Sequence, residues 1–96
     1  MSLKIREHNG EFLVEGVINV NTIEQFKNHI EFLMVYTKSL TLNIDNVTAI
    51  DREGVNLIKS FFAKAKFYEK DFTVTGYGSK DIYNALQQPE EIKIIQ

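Results

Sequence analysis

The spacing of apolar residues changes several times along the chain, and each change marks an element. Leu3 and Ile5 alternate with polar neighbours, the period-two signature of a half-buried strand. Asn9-Gly10 follows, a pair that accepts the positive φ angles of a two-residue hairpin turn. Phe12, Leu13, Val14, Val17 and Ile18 resume the apolar run, so residues 2–18 read as an antiparallel hairpin. The period then lengthens. Ile23, Phe26, Ile30 and Leu33 recur at helical spacing, with Glu24, Lys27, Asn28 and Glu31 on the other face, which predicts a helix at about 22–36. Asn21 and Thr22 are both N-cap residue types, and Glu24 and Gln25 stand three positions after each, a capping-box arrangement.

Leu40, Leu42 and Ile44 alternate with Thr41 and Asn43 and predict a strand ending at Asp45-Asn46. A short polar connection through Val47 and Ile50 leads to a second helix. Asp51 caps it, Val55, Ile58, Phe61, Phe62 and Ala65 form its apolar stripe, and Lys59, Lys66 and Lys70 lie mostly outside that stripe. Phe72–Thr75 is β-rich, Gly76-Tyr77-Gly78 turns the chain, Ser79 caps a short third helix carrying Ile82 and Leu86, and Ile92–Ile95 supply a final short strand. The only proline, Pro89, interrupts none of the earlier elements. Strands alternating with helices after an opening hairpin predict an α/β fold: a mixed sheet of four to five strands with three to four helices packed mainly on one face.

Composition narrows the class. A chain of 96 residues accommodates one domain, here residues 1–96. Cysteine is absent, which excludes disulfides and thiolate metal sites and points to a reducing, cytoplasmic setting. The first residues carry scattered charges rather than the apolar core of a signal peptide, and no apolar run reaches the length of a membrane span. The net charge is −2 with lysine and arginine dispersed, so no nucleic-acid footprint is expected.

One segment is more specific than the rest. Leu42-Asn43-Ile44-Asp45-Asn46-Val47-Thr48-Ala49-Ile50-Asp51-Arg52-Glu53-Gly54-Val55-Asn56-Leu57-Ile58 resembles the centre of STAS domains, the fold of bacterial anti-sigma-factor antagonists. There a hydrophobic strand runs through V-x-x-I-D and enters a helix at Asp-Ser-Ser/Thr-Gly. The hairpin, the Asn21-Thr22 helix start, the Phe72–Gly76 strand and the Ser79–Leu86 helix fall in register with that pattern. The resemblance implies a non-catalytic regulatory module of transcription signalling, with no cofactor. Its implied protein partner is a kinase-fold anti-sigma factor, or a larger signalling complex, and a homodimer is compatible with it. The implied binding surface comprises Asp51, Arg52, Glu53 and Gly54 with the neighbouring loops at Asn21, Thr22 and Ser79.

The resemblance breaks at its functional centre. Arg52 and Glu53 stand where the family has two hydroxyl residues, and Glu53 occupies the position whose hydroxyl the partner phosphorylates. A carboxylate takes no phosphate, so the phosphorylation switch does not carry over. The simplest account of Glu53 is that a negative charge in the first turn of a helix is favourable by ~0.3–1 kcal/mol. A permanent imitation of the phosphorylated state is a second account, weakened by one charge against roughly 1.5–2 and by the adjacent Arg52. A surface adapted to a partner that reads charge, with Arg52 as its anchor, is a third.

The remaining polar residues add little chemistry. His8 and His29 lie on different predicted elements without a nucleophile or ligand spacing, so an enzyme and a metal site are both disfavoured. Gly76-Tyr77-Gly78-Ser79 lacks the third glycine of a dinucleotide fingerprint and the lysine of a P-loop. Thr48, though a hydroxyl near the motif, is an ordinary turn residue. Phe32, Met34, Tyr36, Phe67 and Tyr68 extend beyond the helical stripes and read chiefly as boundary packing, with a partner-binding patch as the lesser alternative. Two other functions stay open: an accessory subunit of a lipid-transporting ABC-type membrane system, for which a hydroxyl-free site is suitable, and a small-ligand sensor.

Overall fold

A computed structural model describes residues 2–76 and 94–95. Its elements are β1 (Leu3–His8), β2 (Glu11–Ile18), α1 (Ile23–Tyr36), β3 (Ser39–Ile50), α2 (Arg52–Phe67), β4 (Asp71–Thr75) and a two-residue β5 (Ile94–Ile95). The strands lie in sequence order, β1 antiparallel to β2 and every later neighbour parallel. Four strands thus carry a mixed α/β sheet, and β5 adds two paired residues beside Val74 and Thr75. Among the described residues there are two helices where three to four were expected. The third expected helix, Ser79–Leu86, lies outside the described residues.

The opening hairpin forms as its sequence demands. Asn9 and Gly10 both take positive φ, 52° and 85°, and close the turn between His8 and Glu11. That twist suits paired strands, and Asn-Gly reaches it at the lowest steric cost. The sheet then turns one face inward. Leu3, Val14, Ile18, Leu40, Leu42, Ile44, Val47 and Val74 are buried, while Lys4, Arg6, Thr41 and Asn43 alternate onto the other face. Phe26, Ile30 and Met34 of α1 and Ile58, Phe61 and Ala65 of α2 complete the core. Phe61 sits between the two helices and the sheet, with its ring 5.9 Å from Phe26 and 6.0 Å from Phe72, edge to face in both cases. Both helices therefore share one face of the sheet.

Two local expectations need correction. First, β3 does not end at Asp45-Asn46 but continues to Ile50. Its neighbour β2 is long enough to supply partners, pairing Gly16 with Val47, Val17 with Ala49 and Ile18 with Ile50 after two register irregularities. Polar residues that would stop an isolated strand are tolerated because the ladder continues beside them. Gly16 takes φ 109° at this irregularity, and a Cβ there would lie 2.2 Å from the Ser2 carbonyl oxygen, so only glycine fits.

Second, α1 does not start with a capping box. Thr22 is its N-cap residue, but its side chain makes no capping bond. The hydroxyl donates to the Val17 carbonyl at 2.8 Å and accepts from the Asn19 amide at 3.0 Å. Gln25 donates to the Leu3 carbonyl, tying α1 to the edge of β1. Thr22 and Gln25 thus stitch the loop to the sheet, where a lone helix would have used the same groups on itself.

Helix α2 ends in a Schellman motif: the Glu69 amide donates to the Lys66 carbonyl and the Lys70 amide to the Ala65 carbonyl. Glu69 holds the left-handed conformation this requires, with φ 59°. That conformation costs a non-glycine residue ~1–2 kcal/mol, whereas glycine there would forfeit about 0.5–1 kcal/mol of unfolded-state freedom. Glu69→Gly is therefore expected to stabilise the fold by up to about 1.5 kcal/mol, the difference of those two costs. Urea unfolding monitored by circular dichroism checks this, and an unchanged or lower midpoint contradicts it.

Candidate functional site

The site builds from the junction of β3 and α2. Asp51 is extended, with φ −92° and ψ 180°, and its carboxylate accepts from the Gly54 amide at 2.9 Å. Its carbonyl accepts from the Val55 amide and its own amide donates to the Ile18 carbonyl at 3.1 Å. The residue thus caps α2 and fastens the helix start to the end of β2 in one step. Gly54 is buried beneath the first turn. A Cβ there would lie 2.6 Å from Ile50 Cγ1 and 2.8 Å from Ile18 Cγ2. The glycine lets the helix descend onto the ends of both strands.

The predicted site residues separate into two groups. Arg52 and Glu53 are exposed on the first turn of α2, and neither side chain makes an ion pair or hydrogen bond among the described residues. Asn21 is exposed in the β2–α1 loop, its amide held by the Asn19 side chain at 2.9 Å. Because Ile18 pairs with Ile50, this loop leaves the sheet beside Asp51, so the structure brings the Asn21 and Arg52–Glu53 segments to one edge. Thr22, by contrast, is 5% exposed, and Gly54 is buried. Neither presents a side chain for contact; both hold the backbone in place, as does half-buried Asp51. Ser79 lies outside the described residues, and Gly76, the last residue described before it, abuts Asp45 rather than Asp51.

One residue at this edge was missed. Val20 is 78% exposed in the same loop. Its signal in the sequence is an aliphatic residue between Asn19 and Asn21, after a strand and before a helix, where neither element can bury it. Thr48 is exposed and its hydroxyl donates to the Gly16 carbonyl at 3.2 Å, within the β2–β3 ladder. His8 and His29 are exposed on separate elements, and no metal-ligating cluster occurs among the described residues. None of their helices is long and apolar enough to cross a membrane.

The geometry has counterparts among solved structures. The anti-sigma factor antagonist SpoIIAA in its unphosphorylated form aligns at TM-score 0.74 and 12% identity, over 99% of this chain and 88% of its own. An anti-sigma factor antagonist from Mycobacterium paratuberculosis aligns at 0.74 and 16%, over 98% and 84%. RsbS from Moorella thermoacetica, in a serine-to-glutamate variant, aligns at 0.65 and 12%, over 100% and 88%. The chain has a STAS-like fold. No family model and no curated protein sequence matches it. This STAS-like chain keeps the strand–Asp–helix junction its sequence foreshadowed, with an arginine and a glutamate displayed on it.

Two substitutions test how the junction is held. Asp51→Ala removes the cap and is expected to cost about 1 kcal/mol in thermal or urea unfolding. Gly54→Ala would ordinarily strengthen a helix by up to ~1 kcal/mol, but displacing Ile18 and Ile50 costs ~1–3 kcal/mol. The expected sign is therefore destabilising, and a raised unfolding midpoint would show that the close contact is not constraining.

Proposed function

We propose that this chain is a regulatory protein-interaction module whose docking surface is the start of α2, and that it works without phosphorylation at Glu53. The observation that carries this reading is the pairing of a rigid base with an unengaged surface. Asp51, Thr22 and Gly54 fix the backbone, while Arg52, Glu53, Val20 and Asn21 project from it without intramolecular work among the described residues. Arginine is enriched among interface anchors, and Val20 adds exposed apolar surface at the same edge. The likeness to anti-sigma factor antagonists supports a protein as the partner, and a kinase-fold anti-sigma regulator or a signalling complex built around one is the partner class proposed.

On this reading Glu53 supplies a constant charge where a relative with a hydroxyl would have a switchable one. A carboxylate carries one negative charge against roughly 1.5–2 for a phosphate. It cannot be removed by a phosphatase, so control passes to the abundance of the chain or to its partner.

The test is calorimetric titration of the full chain against the kinase-fold regulator encoded in the same genome, with wild type, Arg52→Ala, Val20→Ser and Glu53→Ser side by side. Arg52→Ala is expected to weaken binding by roughly tenfold, the loss of an anchor side chain, and Val20→Ser by less. With ATP present, phosphate should enter Glu53→Ser and not the wild type. Equal affinity across all four proteins rules out the α2 start as the docking surface. Co-purification with a transporter ATPase and permease in place of the regulator would move the module to membrane transport machinery.

A further inference from the structure

We draw no further inference here: the strongest candidate, the apolar groove of about 450 Å³ lined by Val35 and Tyr68 between the C-terminal ends of α1 and α2, has its lysines engaged by Glu31 and by the Val35 and Thr37 carbonyls, and nothing in the structure shows what covers it.

Discussion

The first turn of α2 rests directly on the ends of β2 and β3, and most of the architecture follows from that contact. Gly54 has no side chain, so the helix axis can approach until backbone meets Ile18 and Ile50. The Asp51 amide bonds to the Ile18 carbonyl while its carboxylate turns inward to the Gly54 amide. One residue therefore joins strand, strand and helix. With that join in place, Ile58, Phe61 and Ala65 fall at successive turns over the buried face of the sheet, and Phe61 reaches both Phe26 and Phe72. The core and the display of Arg52 and Glu53 share one cause.

This coupling explains how the backbone at the α2 start is held without contacts from its exposed side chains. The exposed side chains at the α2 start are not needed to hold the backbone, since Thr22, Asp51 and Gly54 do that from below. Residues above can then vary in chemistry with little effect on folding. Arg52 and Glu53 are displayed in this way on a junction whose geometry does not depend on their side chains. The C-terminal ends of the two helices follow another logic. There Lys70 donates to the Val35 and Thr37 carbonyls and Lys64 pairs with Glu31, while Phe32, Val35, Tyr36, Phe67 and Tyr68 stay exposed.

The strength of the sequence signal tracked how local its physics was. Asn9-Gly10 made its turn because two adjacent residues sufficed, and Asp51 capped α2 because its partner amide lies three residues on. The stripes of α1 and α2 and the alternation of β3 were legible for the same reason. The extension of β3 to Ile50 was not. Asp45 and Asn46 would end a strand judged alone, and only the length of β2 beside them decides otherwise. Thr22 was misjudged in the same way, since its hydroxyl has the Val17 carbonyl as a competing partner that a helix-only reading leaves out.

The sequence by itself determined the order of elements from β1 to β4, the inward face of each and the junction at Asp51, because each depends on residues within one or two turns of one another. It also determined that Glu53 cannot accept a phosphate, a matter of its functional group alone. Tertiary structure decided which predicted site residues face solvent, placing Arg52, Glu53 and Asn21 outward and Thr22 and Gly54 inward. It brought Val20 to the same edge and gathered Val35 and Tyr68, thirty-three positions apart in sequence, into one groove. Those outcomes follow from parallel strands returning the chain to one edge and from two helices ending side by side. Both are long-range geometry, set by pairing partners far away in the chain and so absent from any local pattern of residues.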